Sequence, residues 1–521
     1  MAIELVDELE EDPRTTLESS VDVIISYDDG ATGEETEAQK PVGLETQSYR
    51  VGRQNLDTDN TVFVIVSFEG PDRYSLAGGL GVRITNLSRA LADSGYEVHH
   101  MFVGDPKEMG EEVSKNHRLT LHRWCQWISA YYPEGLYQGE NEKLYDFNES
   151  VPWFVAECIA KPAVAQDKTV VILGEEWHTA ETMCRISDAL YAMGIRDKVI
   201  MFWNANNTFS FHRINWGRLA FTTTITTVSR YMKQIMWGMG QNPLVIPNGI
   251  PSSLLSNVDS GLVSKLRKGL DADLVLSKVA RWDPDKRWNM AVESVARLKS
   301  RGMRALLIAR GGIEPHGEEV AHNARSLGLR VADITTNGES IADYMEAIIT
   351  HAAADVLNIR FHCPQDFLRI VYNASDAVLA NSGHEPFGLV GLETMAARGV
   401  AVTGGTGEDY AVPFYNAIVL ETANPAEIEG YIMYLHHHRH EAERIRNSGK
   451  ETAGLFTWDK VIQNMLQKLE FQARVQGILT TPAAAPVDTI PEAEPEPTVR
   501  SRLAERRRHV PKLTPILAGS A

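Results

Sequence analysis

Apolar and polar positions along this chain alternate between two periodicities, and the alternation repeats. Thr61-Val62-Phe63-Val64-Ile65-Val66-Ser67-Phe68 is an unbroken, β-branched run, the pattern of a strand buried on both faces. A glycine-rich turn follows, Ala77-Gly78-Gly79-Leu80-Gly81, and then apolar residues at Ile84, Leu87, Leu91 and Ala92 predict a helix ending near Gly95. Glu97–Val103 is the next predicted strand. Strand, helix and strand in that order form the unit of a doubly wound parallel sheet. The alternation continues through predicted strands at Thr169–Leu173, Val199–Phe202, Thr222–Val228 and Leu244–Pro247.

A second alternating set begins near Leu274–Val279 and runs through Ala305–Ile308, Asp376–Leu379, Val400–Val402 and Ala417–Val419. The predicted class is therefore α/β, with two facing Rossmann-like domains and a ligand between them, because such sheets bind ligands beyond the carboxyl ends of their strands. Pro247-Asn248-Gly249-Ile250 has the composition of a hinge turn. The expected division is an acidic, largely flexible segment 1–57, domains at 58–247 and 248–457, a helix at 458–477, and a Pro/Ala-rich tail 478–521 with a basic cluster. Within the first segment only Val21–Tyr27 reads as a strand. The tail composition predicts disorder.

Length and charge narrow the picture. A chain of 521 residues is too long for one core, which agrees with two domains. The net charge of −18 argues against a general nucleic-acid binder. Residues 1–57 carry fifteen acids against four bases, whereas the tail contains Arg500, Arg502 and Arg506-Arg507-Arg508. A weak contact of that tail with an anionic surface is one expectation; stable membrane insertion is not, since the longest apolar runs have only strand length. The acidic beginning lacks the order of a signal peptide. Cys125, Cys158, Cys184 and Cys363 show no metal-ligand spacing and read as buried thiols in a reducing, cytoplasmic setting.

The most informative chemistry lies in Glu385-Pro386-Phe387-Gly388-Leu389-Val390-Gly391-Leu392-Glu393. On one ideal helix the two carboxylates would stand roughly 80° apart. Pro386 and Gly388 prevent that helix from starting at Glu385. The first Glu should sit on a loop and the second in the early turns of a helix Leu389–Arg398, so that both can converge on one small ligand. About a hundred residues earlier, Arg281-Trp282-Asp283-Pro284-Asp285-Lys286 follows a predicted strand and places two cations across a Pro-containing turn. Fixed positive charge of this kind suits a departing phosphate.

The two elements together resemble the E-x7-E and R-x4-K motifs of retaining glycosyltransferases of the GT-B fold, the group 1 (family 4) enzymes related to glycogen and starch synthases. The resemblance spans about residues 60–475. It implies that Arg281 and Lys286 grip the donor diphosphate, that Glu385 contacts the donor sugar, and that Glu393 holds the ribose. Phe387, Gly388 and Leu389 would line the donor site between them. Gly78 and Gly79 match a Gly-Gly-Leu loop lying against donor phosphate and acceptor, at a helix start where amides favour an anion. Gly404 and Gly405, in Thr403-Gly404-Gly405-Thr406-Gly407, match a loop near the donor phosphate and sugar. Gly174-Glu175-Glu176-Trp177-His178-Thr179 is similar to the His-Asp-Trp-x-Thr element, with Glu175 in the place of the sugar-contacting His. His178 and Asn204 are the neighbouring candidates for acceptor or sugar contacts. Leu76 stands where glycogen and starch synthases have Lys, which sets this chain apart from ADP-glucose-dependent glycogen synthesis.

The resemblance implies an enzyme that moves a hexose from a UDP-, ADP- or GDP-linked sugar to a carbohydrate or other hydroxyl acceptor with retention. It implies no tightly bound cofactor and no required metal. His436, His437, His438 and His440 read as a solvated helix face, and Asp271 and Asp273 have no evident partner ligand. Two alternatives stay open: another enzyme of the same architecture, such as a nucleotide-sugar epimerase or glucan phosphorylase, and a non-catalytic sugar-nucleotide-binding scaffold.

Overall fold

A computed structural model describes residues 53–480. The expected strand Val21–Tyr27, the rest of the acidic head and the arginine-bearing tail lie outside the described residues. The remainder is α/β and contains two sheets. The first is built from β1 (Thr61–Val66), β2 (Glu97–Val103), β3 (Glu111–Val113), β4 (Leu119–Trp124), β5 (Thr169–Glu175), β6 (Val199–Ala205), β7 (Thr224–Thr227) and β8 (Leu244–Val245). Its order is β3-β4-β2-β1-β5-β6-β7-β8. All neighbours are parallel except the β3–β4 edge pair.

The second sheet comprises β9 (Leu274–Val279), β10 (Ala305–Arg310), β11 (Val331–Ile334), β12 (Val356–Ile359), β13 (Ala377–Ala380), β14 (Ala401–Thr403) and β15 (Ile418–Val419). It is ordered β11-β12-β10-β9-β13-β14-β15 and parallel throughout. Four strands, β3, β4, β11 and β12, add to those expected from the apolar pattern. All four belong to the outer parts of their sheets. In β3, Glu111, Glu112 and Val113 are all exposed, so burial there imposes no apolar run.

The unbroken apolar runs follow from burial on both faces. In β1, Val62, Val64 and Val66 pack into one core layer, while Phe63 and Ile65 pack into the layer opposite. In β9, Leu274 and Leu276 face one layer and Val275 the other. The helix Trp458–Val475 lies in the first domain's core although it follows the second sheet in sequence: Trp458, Val461, Ile462, Met465 and Leu469 pack with Phe63 and Ile65. The two chain crossings between the domains are joined by their backbones. The Ile250 amide donates to Phe456 at 2.9 Å, and the Trp458 amide donates to Ile250 at 3.0 Å. A side chain at Gly249 would meet the Trp458 ring at 2.6 Å, so the crossing requires glycine.

Two local expectations are corrected. The helix after Glu385 is Leu389–Ala396 and ends before Arg398, whose φ of 61° is left-handed. Cys158 is exposed, whereas Cys125, Cys184 and Cys363 are buried, and all four are free thiols. No helix among the described residues is long and apolar enough to cross a membrane.

Candidate functional site

The carboxyl ends of β1, β6, β9 and β13 border a cavity of about 330 Å3. From the first domain it is lined by Gly79, Leu80, Asn206 and Asn207, and at the crossing by Asn248. From the second it is lined by Lys278, Arg281, Lys286, Ser382, Glu385 and the turn through Gly391. Arg281, Lys286, Glu385, Phe387, Gly388, Leu389 and Gly79 therefore meet at one place.

Local chemistry explains how the second-domain loops are held. Asp283 accepts from the Asp285 amide at 2.8 Å, which starts the short turn Pro284–Lys286. Asp285 in turn accepts from the His384 ring at 2.9 Å, and its carbonyl accepts from the Gly383 amide at 2.7 Å. The cation loop and the Glu385 loop are thus fastened to each other. Trp282 and Trp288 pack with ring centroids 4.0 Å apart beneath them, and Trp288 donates its indole N–H to the Arg281 carbonyl at 2.8 Å. Lys286 Nζ lies 2.8 Å from Glu385 Oε2, and both side chains are about one-fifth exposed. Arg281 is exposed and makes no ion pair among the described residues.

The residues between the two glutamates have structural reasons of their own. Gly388 has φ of 82°, a left-handed conformation that only glycine adopts cheaply, and it caps Leu389–Ala396. Tyr410 donates its hydroxyl to the Gly388 carbonyl. A Cβ at Gly391 would lie 2.4 Å from that hydroxyl. Phe387 is buried against Tyr410 and Phe456. Glu393 is partly covered within its helix, and burial pushes its carboxyl up to about 7. The loop with Gly404 and Gly405 straps the Glu385 backbone: Thr406 Oγ1 accepts from the Glu385 amide at 2.9 Å, and the Gly407 amide donates to the Glu385 carbonyl at 2.8 Å. Gly404 has to be glycine, since a Cβ would stand 1.9 Å from the Ser382 carbonyl.

The three first-domain candidates are placed differently. Glu175 is buried and forms a two-pronged ion pair with Arg83, at 3.1 and 3.2 Å. It also accepts from Asn204 at 2.9 Å and from Asn206 at 2.8 Å. Glu175 and Asn204 lie beneath Asn206, which lines the cavity. Arg83 also donates to Asn248 and sits over the Trp458 ring at 5.9 Å, tying the first helix to both crossings. His178 lines a separate cavity of about 200 Å3 with Trp177 and Arg213. It stacks on Phe68 at 4.3 Å, bonds Glu140 at 2.8 Å, and burial holds its pKa below the usual value.

Two site residues carry no signal in the sequence. Lys278 is fully buried in β9 and lines the cavity. Its ammonium donates to the Leu379 carbonyl at 2.9 Å and to Asn381 at 2.6 Å, with no carboxylate in direct contact among the described residues. Burial, reinforced by Lys286, lowers its pKa to about 7. Glu69, buried after β1, accepts from the amides of Gly78 and Gly81 at 3.1 and 2.9 Å. The glycine turn expected to face a phosphate therefore already holds a carboxylate. Neither stands in a motif that a linear reading singles out: Lys278 bonds residues 101 and 103 positions away, and Glu69 bonds the glycine turn and Tyr137.

Comparison with known proteins agrees with this geometry. The family described as "Glycosyl transferases group 1" matches residues 265–452, the stretch that contains Arg281, Lys286, Glu385 and Glu393. No curated protein sequence matches the chain at a significant level. Among solved structures, sucrose-phosphate synthase from Thermosynechococcus elongatus aligns with a TM-score of 0.56 at 16% identity, covering 80% of this chain and 99% of that one. The catalytic domain of starch synthase IV from Arabidopsis thaliana, bound to ADP and acarbose, aligns at 0.54 and 14%, covering 80% and 99%. Anabaena HepE in complex with UDP aligns at 0.53 and 14%, covering 78% and 99%. At such identities the structures speak for the architecture and the family match for the second domain. Residues 265–452 thus resemble the group 1 glycosyl transferase family, and the described residues share the two-domain GT-B fold of these solved structures.

Proposed function

We propose that the protein is a retaining glycosyltransferase that moves a hexose from a nucleotide-diphosphate sugar to a hydroxyl acceptor. The observation that carries this reading is the Lys286–Glu385 pair, 2.8 Å apart beside the unpaired Arg281 in one cavity between two parallel sheets. Similar solved structures hold UDP, or ADP with acarbose, which supports a nucleotide-sugar donor here. The division of labour places the acceptor in 58–247, the nucleotide sugar in 248–457, and a returning helix at 458–477.

In this reading the bond between the anomeric carbon and the diphosphate oxygen breaks, and a bond from that carbon to the acceptor oxygen forms on the same face. The acceptor proton leaves with the diphosphate. Arg281 and Lys286 stabilise the charge that grows on the leaving oxygen, the largest electrostatic demand of the step. Glu385 is held by Lys286 and orients the sugar; Glu393 accepts from the ribose hydroxyls. Gly404 and Gly405 set the height of the Glu385 loop. Glu175 and Asn204 act on the acceptor through Asn206.

The test is incubation with UDP-, ADP- and GDP-glucose, reading thermal stabilisation and diphosphate release. Selective stabilisation with release from one donor supports the reading. Epimerised donor without an acceptor, or phosphate-dependent glucan cleavage, would replace it with another enzyme of this fold. Neither binding nor release from any donor would favour a scaffold.

A further inference from the structure

We infer that Glu69 fills the anion seat of the first domain's cleft wall, so that the acceptor is a hydroxyl compound carrying no phosphate. The inference rests on the transferase reading and names the substrate class of the same cleft.

The seat is the start of the helix Gly79–Asp93. This helix has no acidic residue in its first turn, and Gly78 supplies no side-chain cap. Its free amides and positive end would ordinarily attract an anion. Glu69 meets them from nine positions upstream. Its Oε2 accepts from Gly78 and Gly81 at 3.1 and 2.9 Å, and its Oε1 accepts from the Tyr137 hydroxyl at 2.6 Å. The amides of Gly78 and Gly81 and the Tyr137 hydroxyl all donate to the two oxygens, an arrangement that suits a carboxylate acceptor. Burial holds the Glu69 pKa above the ordinary carboxylate value, and the Tyr137 and backbone hydrogen bonds offset this only in part. The fit is close, since a Cβ at Gly81 would lie 2.9 Å from Glu69 Oε2.

The same turn presents Gly79 and Leu80 to the cavity, facing Arg281, Lys286 and Glu385. The remaining lining on that side is Asn206, Asn207 and Asn248, and it includes no Lys or Arg. Arg83 spends its charge on Glu175, and Arg213 lies over the Trp177 ring at 4.2 Å beside the separate cavity. An entering phosphate would find no cation on this wall and a buried carboxylate behind it. The Asn206 side-chain amide on this wall already donates to Glu175 at 2.8 Å, so a carboxylate rather than an entering phosphate holds that donor.

The experiment uses the full chain with its second-domain cations saturated by whichever of UDP, ADP or GDP binds. Glucose with glucose 6-phosphate, fructose with fructose 6-phosphate, and inorganic phosphate are then titrated calorimetrically, and Glu69→Gln is titrated alongside. The expected result is no binding of either sugar phosphate or of phosphate to the wild type at millimolar concentration. Glu69→Gln keeps the shape and removes the charge, and it should gain phosphate or sugar-phosphate binding by at least about tenfold. Wild-type binding of any phosphorylated probe overturns the inference, as does a folded Glu69→Gln that discriminates unchanged. The wild-type arm is decisive even if the variant does not fold. Absence of all nucleoside diphosphate binding would instead sink the transferase reading.

Discussion

The two walls of the cleft use charge in opposite ways. On the first-domain side, among the described residues, the buried acids near the cleft already have partners: Glu69 the glycine-turn amides, Glu175 Arg83, and Glu176, whose carboxyl burial pushes up to about 8, the amides of Asn206 and Asn207. On the second-domain side, among the described residues, Arg281 has no ion pair and Lys278 donates to a carbonyl and an amide oxygen, with no carboxylate in direct contact. Only Lys286 is paired, with Glu385, and that pair is partly exposed. A wall whose charges are satisfied resists further charge, because new ions would have to displace existing partners. A wall with unspent positive charge is built to receive an anion. On the reading proposed above, this contrast puts the diphosphate at one domain and the uncharged reactant at the other.

The sharpest way to break this comparison is to open the satisfied wall. Arg83→Met leaves Glu175 buried without its cation and should cost about 3–5 kcal/mol of stability, read from urea unfolding. A variant as stable as wild type would mean that the wall is not held by this pair. On the other wall, Lys286→Ala should leave stability nearly unchanged and cut turnover about 10²–10³-fold. Near-normal turnover would remove Lys286 from the chemistry.

Lys278 sharpens the comparison through pH. Its folded pKa, about 7, lies below the ordinary lysine value. Between the two values the unfolded chain binds more protons than the folded one. Stability from this group therefore rises with pH across that window, by at most about 1.4 kcal/mol per pH unit, and its burial is unfavourable below it. Lys278→Met should abolish that slope in unfolding curves at successive pH values from neutral to mildly alkaline; an identical slope in both proteins would refute it. The smallest expected effect is Glu393→Ala, which should weaken nucleoside diphosphate binding by about 1 kcal/mol, roughly fivefold by calorimetry. Unchanged affinity would end the ribose assignment.

Much of this was legible in the chain. Apolar runs such as Thr61–Phe68 and Leu274–Val279 announce strands because a parallel sheet covered on both faces demands them. The outer strands β3, β4, β11 and β12 were not foreseen. In β3 all three residues are exposed, and β11 carries only one buried residue. The Glu385–Glu393 spacing and the Arg281–Lys286 turn carry their chemistry within a few residues, so a linear reading reaches them. Pro386 and Gly388 likewise fix locally where the helix can begin.

By itself, then, the sequence determined what depends on near neighbours: element types, the glycine turns, and the loop and helix that bear the two glutamates. The tertiary structure alone decided which charges are free. Glu175 is separated from Arg83 by 92 residues, and Lys278 from Asn381 by 103. Nothing in a strand of apolar residues shows that its lysine has no carboxylate in direct contact, nor in a glycine turn that an upstream acid fills it. Burial and pairing are properties of the space between elements, and only folding brings those elements together.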